Sequence, residues 1–141
     1  ADLFGEATYT DESGIGQRMQ DSLGQFDYIA PMVYPSHYAS GFNGYAKPAE
    51  HPYDVVYYSM DQAVAKALRF ADTAPTSTPL RASYRPWLQD FDIGADYTAD
   101  MVRAQIRALD DLNGTSTTPL ITGWMLWNPS NVYTKAALLP Q

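Results

Sequence analysis

Side chains that could bind and react with a ligand occur in three short segments. These read MVYPSHY at 32–38, WLQDFD at 87–92 and LWNPSN at 126–131. A carboxylate such as Asp90 can serve as general acid, general base or nucleophile when it has a partner and a tuned pKa. Tryptophan adds an apolar ring face and a polar N–H, a combination suited to stacking on a sugar ring. These residue types would suit a sugar ligand, and they would serve equally well in a hydrophobic core.

The two carboxylates of WLQDFD have different expected roles. Asp90 and Asp92 alternate with Phe91 at the end of an apolar segment. Either carboxylate could instead cap the following turn or pair with Arg85. The segment FDIGADYT at 91–98 is typical of a loop that leads into a helix. We therefore expect Asp92 to be the capping residue and take Asp90 as the candidate catalytic carboxylate.

Tyr34 is the second candidate catalytic residue. Met32 and Tyr34 are two positions apart, so a strand would place them on one face, and from there the Tyr34 hydroxyl could hydrogen-bond a reacting centre. His37 would lie at the rim of such a site as a binding residue, although a single histidine is more often a structural donor. The long loop at 35–52, rich in glycine and tyrosine, could fold over a ligand.

Trp87 and Trp127 are the candidate stacking platforms, with Gln89 and Asn128 beside them to bind sugar hydroxyl groups. The alternative is that both indoles belong to a hydrophobic core and close its top. Trp124 and Trp127 are an odd number of positions apart, which puts them on opposite sides of a regular strand. We expect Trp127 to face the site and Trp124 to pack under the helices.

Composition removes several classes of partner and site from consideration. The chain has 141 residues, near the size of one domain, and sixteen acidic against nine basic residues give a net charge of −7. This balance argues against a nucleic acid or an anionic membrane as partner. The absence of cysteine excludes disulfides and thiolate sites, and His37 and His51 are too far apart for a local metal motif. We predict no metal, no cofactor and no membrane span.

Four short apolar segments alternate with three segments of helical periodicity. The apolar segments lie at 1–4, 26–34, 79–91 and 119–127. Helical spacing relates Ile15, Met19 and Leu23; Val56, Met60, Val64, Ala67 and Leu68; and Val102, Ile106 and Leu109. Pro52 near the start of the second helix, Thr98 as N-cap of the third and Asn113-Gly114 at its end mark boundaries. The alternation predicts a parallel sheet with helices outside it.

An α/β chain of four parallel βα units corresponds to half of a (β/α)8 TIM barrel, a fold that typically needs about 250 residues. Four strands alone leave two open sheet edges. We expect residues 1–141 to be one partial domain, completed by a missing N-terminal half of a longer protein or by a homodimer. The alternative is a small open four-stranded sheet. Ligands of parallel sheets bind beyond the C-terminal strand ends, where the three polar segments fall.

A family resemblance rests on three motifs that occur in a fixed order. FDYIAPMVYPSHY at 26–38, RPWLQDFD at 85–92 and GWMLWNPSNVY at 123–133 resemble the last strands, five to eight, of the bacterial putative glycosyl hydrolase domain family. The resemblance covers residues 1–134. It implies a TIM-barrel fold, a carbohydrate partner and a location outside the cell or in the cell envelope, with the signal sequence lying outside this chain.

The same motifs are more distantly similar to chitinase-like barrels. In those barrels an inward Met-x-Tyr and a tryptophan line the sugar subsite, and the matching residues are Met32, Tyr34 and Trp127. The chitinase-like pattern has aspartate after the tyrosine, whereas this chain has Pro35, and the acidic motif of the fourth strand has no counterpart.

Glycosidases normally use two carboxylates. Besides Asp90 this chain offers Asp2, Glu6 and Asp92. Our leading hypothesis is a glycoside-hydrolase-like domain that acts on a polysaccharide, with the fragment alone inactive. Two alternatives stay open, namely a non-catalytic carbohydrate-binding module and a structural half-barrel that pairs with another chain.

Overall fold

The computed structural model describes residues 1–11, 14–117 and 119–138. Within these residues, five short strands form one parallel sheet, and three α-helices connect them. The strands are β1 (Asp2–Phe4), β2 (Tyr28–Met32), β3 (Ser83–Tyr84), β4 (Trp87–Gln89) and β5 (Met125–Trp127). The helices are α1 (Met19–Leu23), α2 (Pro52–Thr73) and α3 (Ala99–Gly114). The predicted α/β architecture with a parallel sheet and helices is confirmed.

The strand order is β1-β2-β4-β5, and β3 also pairs with β2. Ile29 lies opposite Tyr84 and Met32 lies opposite Trp87, so β3 and β4 keep the same register against β2. Pro86 lies between the two short strands and has no N–H to donate to a ladder. The single apolar segment predicted at 79–91 therefore forms two strands along one path.

One extra residue is inserted in the chain before β5. Ile121 lies opposite Tyr84 and Leu126 lies opposite Leu88, so five positions on this segment match four on its neighbour. Gly123 lies inside the insertion with φ of 149°, a conformation that glycine adopts at little cost because it has no Cβ. The insertion lets Ile121 and Leu126 both pack against the core in spite of their odd spacing.

Helices α2 and α3 cover one face of the sheet and enclose the core there. Tyr84 is fully buried, and its hydroxyl donates a 2.8 Å hydrogen bond to the carbonyl of Ala63 on α2. The fully buried members of this core include Ile29, Val33 and Leu88 from the sheet side, Val56, Met60 and Ala67 from α2, and Ala108 from α3. Burial of this apolar surface is the main stabilising contribution to the fold.

The predicted helix boundaries agree with the structure for the two long helices. Pro52 is the first residue of α2, and Thr98 caps α3 by accepting a 3.4 Å hydrogen bond from the N–H of Met101. Helix α3 ends at Gly114, as predicted. None of the helices in the described ranges has both the length and the apolar character needed to cross a membrane.

The helical spacing predicted a buried helix position for both Ile15 and Leu68, and this prediction is wrong for each. Ile15 lies outside α1 and is 46% exposed, because Gly14 and Gly16 on either side adopt φ values of 74° and 73° that no helix contains. Leu68 is exposed on α2 because it lies at the edge of the stripe that faces the sheet.

The opposite side of the sheet, which we call the open face, carries no helix among the described residues. Alternation and register place Asp2, Phe4, Tyr28, Met32, Trp87, Met125 and Trp127 on it. Phe4 and Tyr28 are exposed there, and the Arg85 guanidinium lies 4.5 Å from the centre of the Tyr28 ring. An uncovered face with this much aromatic surface is typical of an interaction site or of the inside of a larger fold.

Candidate functional site

A cavity of about 360 Å³ opens where β1 and β2 end. We call it the β2 cavity. Its wall consists of Phe4, Gly5, Glu6, Ile15, Met32, Tyr34, His37 and Tyr38. Three of the residues predicted to act on a ligand, Met32, Tyr34 and His37, therefore lie together at the C-terminal end of the sheet.

Tyr34 is one of two buried tyrosines in the described cavity wall, the other being Tyr38. The Tyr34 ring makes edge contacts with His37 and Phe91, at centroid distances of 5.2 and 5.5 Å. Burial, and then the nearby negative charge of Asp2, raise the pKa of Tyr34 to about 12. The hydroxyl therefore stays protonated at physiological pH and can donate a hydrogen bond to a ligand.

His37 lies at the rim of the cavity, as predicted, and is exposed to solvent. Its Nδ1 lies 3.0 Å from the Oγ of Ser36. Burial of part of the ring lowers the pKa of His37 below its ordinary value, so the neutral imidazole predominates near pH 7.

Gln89 is fully buried and fixes the turn that carries His37. Its Oε1 accepts a 3.0 Å hydrogen bond from the N–H of Ser36, and its Nε2 donates at 2.9 Å to the carbonyl of Phe91. The backbone of Gln89 is bonded in turn to the buried side-chain amide of Gln105 on α3. The oxygen and the nitrogen of the Gln89 amide each make a bond inside the protein, and its role in binding sugar hydroxyls stays a prediction.

Two tryptophans meet at a right angle on the open face. The ring centroids of Trp87 and Trp127 are 6.1 Å apart with planes at 84°, and the Trp87 N–H donates a 2.8 Å hydrogen bond to the Asp2 carboxylate. Trp127 is 43% exposed, whereas Trp124 packs against the helix-covered core, as the odd spacing predicted. Trp127 thus offers ring surface to a ligand, and Trp87 is half-buried beside it.

A second concave region of about 480 Å³ lies where β4 and β5 end. We call it the Asp90 groove, and its lining includes Asp90, Phe91, Asp92, Tyr97, Asn128 and Thr134. Phe91 lines the groove while its ring contacts Tyr34 and His37, so this side chain lies between the groove and the β2 cavity. Asp90 and Asn128 are therefore brought together with each other but not with Tyr34.

The carboxylate of Asp90 is only 2% exposed and is bonded within the protein. Its oxygens accept hydrogen bonds from the N–H and the hydroxyl of Thr134, at 2.8 and 2.6 Å. The side-chain amide of Asn128 donates to the backbone carbonyl of Asp90 and accepts at 2.8 Å from the N–H of Ser130. In this conformation both predicted site residues organise the loop that follows β5.

Asp92 has the capping role that was expected of it, because its Oδ1 accepts a 2.7 Å hydrogen bond from the N–H of Tyr97. This bond closes the loop that leads into α3.

Lys66 on α2 is a residue of the site region that sequence reasoning missed. It is 6% exposed, and its Nζ donates to the carbonyls of Ala7 and Thr10, at 3.1 and 3.0 Å, and contacts the Asp11 carboxylate. These partners belong to the turn after β1, which also carries Glu6. Its position between Ala63 and Ala67, on the buried side of an amphipathic helix, was the available signal.

The described residues contain no group of three or more histidine, aspartate or glutamate side chains that could hold a metal ion. The β2 cavity instead combines a protonated phenol, a neutral imidazole and one carboxylate on a largely apolar wall. Such a lining suits an uncharged ligand rich in hydroxyl groups.

Comparison with known protein families identifies the fold family on which this geometry is built. Residues 1–133 match the family described as putative glycosyl hydrolase domain. The chain belongs to this family. The match spans all five strands, the β2 cavity and most of the Asp90 groove, so it confirms the predicted family. No curated protein and no solved structure matches the chain.

Proposed function

We propose that this glycosyl hydrolase domain binds and acts on a polysaccharide outside the cell or in the cell envelope. The observation that carries the proposal is the arrangement at the C-terminal edge of the sheet. There the exposed Trp127 ring shares a face with Met32, which lines the β2 cavity with Tyr34 and Glu6. An aromatic platform beside convergent hydrogen-bonding groups is how proteins bind sugar rings.

In the same proposal, the sheet is half of a (β/α)8 barrel, and residues 1–141 form one partial domain. The open face would become the inside of the barrel, and β1 and β5 would pair with further strands. Those strands would come from another part of a longer protein or from a second copy of the chain. Closure would remove both sheet edges and cover the exposed rings of Phe4 and Tyr28.

Gln89 holds the turn that carries His37, and each of the other predicted site residues also has a role in this proposal. Trp127 stacks on a sugar ring, Tyr34 donates a hydrogen bond near the bond to be cleaved, and Met32, His37 and Trp87 line the path between them. Asn128 and Asp90 hold the loop after β5. The Asp90 carboxylate reaches a substrate only after its bonds to Thr134 break, so its catalytic role remains a prediction.

The proposal is tested by measuring glycan binding to the whole chain and to the Trp127→Ala variant. Calorimetric titration with the neutral hexasaccharides cellohexaose, xylohexaose and laminarihexaose supplies dissociation constants. We expect the variant to bind at least about tenfold more weakly, because the exposed ring provides contact area that alanine lacks. Phe26→Ala is the matched control, since Phe26 is similarly exposed but lies before β2, at the opposite end of the sheet. Equal binding by wild type and Trp127→Ala would exclude Trp127 as the platform.

A non-catalytic carbohydrate-binding role is the second candidate. It is favoured by the carboxylates, because Asp90 is bonded to Thr134 and Glu6 is the acidic residue among the described residues of the β2 cavity wall. Glycosidases normally place two carboxylates on either side of the scissile bond. Binding of a glycan without any release of reducing ends by the complete protein would select this role.

A structural role is the third candidate, in which the open face pairs with another chain. Sedimentation of the isolated chain tests the homodimer directly. A strict monomer at concentrations well above those used in binding assays would contradict completion of the barrel by a second copy.

A further inference from the structure

The turn after β1 is built to hold Glu6 in a fixed position. Residues Gly5–Thr8 form a 3-10 turn, and the Thr8 hydroxyl donates a 2.6 Å hydrogen bond to the carbonyl of Gly5. Ala7 and Thr8 are completely buried on one side of this turn, while the Glu6 side chain is exposed on the other. The turn therefore anchors itself in the core and presents one carboxylate to the β2 cavity.

Lys66 holds the same turn from the helix side. A buried ammonium group is costly unless it is bonded, and this one is bonded to two backbone carbonyls and to the Asp11 carboxylate. The carbonyls belong to Ala7 and Thr10, on the C-terminal side of Glu6. Lys66 thus acts as a positioning residue for the backbone next to Glu6.

Gly5 fixes the turn from the cavity side. A Cβ at this position would lie 2.5 Å from the hydroxyl oxygen of Tyr38 and 2.7 Å from the carbonyl oxygen of Met32. Both distances are far below contact distance, so only glycine lets the turn lie this close to the cavity wall. The backbone of Glu6 is consequently held between α2 and the end of β2.

The Glu6 carboxylate is the charged group that this arrangement offers to a ligand. Within the described ranges, no ion pair involves Glu6, in contrast to Asp11, Asp27 and Asp100. The described part of the cavity wall contains no lysine or arginine, and His37 is neutral near pH 7. The charge carried by the described wall is therefore negative, and the Asp2 carboxylate lies close enough to act on Tyr34 as well.

We propose that the β2 cavity is a subsite for neutral sugars, in which Glu6 accepts hydrogen bonds from sugar hydroxyls and repels acidic sugars. The inference rests on the proposed carbohydrate function and adds the class of sugar and the residue that selects it. Tyr34 complements Glu6, because its protonated hydroxyl donates where the carboxylate accepts. A uronic acid in the cavity would place a second negative charge beside Glu6, with no lysine or arginine on the described cavity wall to neutralise it.

The test compares neutral and acidic hexasaccharides of matched linkage on the whole chain. Cellohexaose is a β-1,4-linked neutral glucan, and the β-1,4-linked hexamer of glucuronic acid has the same backbone with a carboxylate on every ring. We expect wild type to prefer the neutral sugar at least about tenfold at low salt. This preference should shrink at 0.5 M salt, because salt screens charge repulsion.

Glu6→Gln keeps the size of the side chain and removes its charge. We expect it to weaken binding of the neutral sugar about tenfold and to abolish the preference over the acidic sugar. Glu50→Gln is the matched control, since Glu50 is an exposed glutamate paired with Lys47 on the surface. Thermal unfolding of each variant verifies that the fold is retained.

The outcomes separate this inference from the proposed function. Neutral-sugar binding that requires Trp127 but is unchanged by Glu6→Gln would overturn the role of Glu6 and keep the carbohydrate function. Equal or tighter binding of the acidic hexamer by wild type would overturn the selectivity. Absence of binding to cellohexaose, xylohexaose, laminarihexaose and the acidic hexamer would overturn the carbohydrate function, and this inference with it.

Discussion

The β2 cavity and the Asp90 groove lie at neighbouring strand ends, yet they use their carboxylates in opposite ways. Asp90 is buried, and both of its oxygens are bonded to Thr134, so the charge holds a loop in place. Glu6 is exposed, and the protein holds its backbone instead, through Lys66 and the close approach at Gly5. A carboxylate at a strand end is therefore available to a ligand only when other groups hold the backbone around it in place.

The largest effect that tests this comparison is expected at Asp90. We expect Asp90→Ala to lower the free energy of unfolding by about 2–4 kcal/mol, because the N–H and hydroxyl of Thr134 lose a buried, charged acceptor. Urea unfolding measures the loss. Asp92→Ala, which removes one bond from an exposed carboxylate, is expected to cost about 1 kcal/mol and serves as the control. Full stability of Asp90→Ala combined with loss of hydrolysis by the complete protein would make Asp90 catalytic and remove the contrast.

An intermediate effect is expected at Lys66, which holds the turn that carries Glu6 beside the β2 cavity. Lys66→Met keeps the apolar stem but loses the bonds to the carbonyls of Ala7 and Thr10, and we expect a loss of about 1–3 kcal/mol. Hydrogen exchange measured by mass spectrometry should show faster exchange in residues 5–11, while the loop after β5 keeps its wild-type rate. Unchanged exchange in the turn would show that Glu6 is positioned by other contacts.

The smallest effect is expected at His37, on the rim of the β2 cavity, and appears in how Tm depends on pH. Burial lowers the pKa of His37 in the folded state, so the unfolded chain binds the proton more readily. The contribution of the neutral ring to stability is therefore present above the unfolded-state pKa of about 6.5 and is lost as the pH falls through the folded-state value. We expect the Tm of wild type to fall slightly more than that of His37→Gln between pH 7 and pH 5. An equal fall in Tm for the two proteins would show that folding does not lower the pKa of the His37 ring.

The parallel sheet and the two long helices were predictable because their signals are local. Apolar stripes, the Thr98 cap and the short strand segments each require only a few neighbouring residues. The family was predictable from three motifs, and its match at residues 1–133 confirms it.

Whether the carboxylates of Asp90 and Glu6 are bonded within the protein was not predictable, because this depends on residues distant in the sequence. Thr134 lies 44 positions from Asp90, outside the motif WLQDFD, and nothing in that motif indicates that the carboxylate is already bonded. The bond between Gln89 and Ser36 was not predictable for the same reason, since the two residues lie 53 positions apart. Lys66 could have been found, because a lysine on the buried stripe of a helix requires a buried partner.

The extra residue at Gly123 has a consequence for how this part of the sequence can vary. Strand facing repeats every two residues, so one inserted residue exchanges the inside and outside positions of everything after it. The extra residue therefore lets Ile121 and Trp127, which are six positions apart, face opposite sides of the sheet. Deleting Gly123 would leave Ile121 and Trp127 five positions apart, an odd spacing at which a regular strand still keeps Ile121 in the core and the Trp127 ring on the open face, so the facing pattern tolerates the loss of this residue.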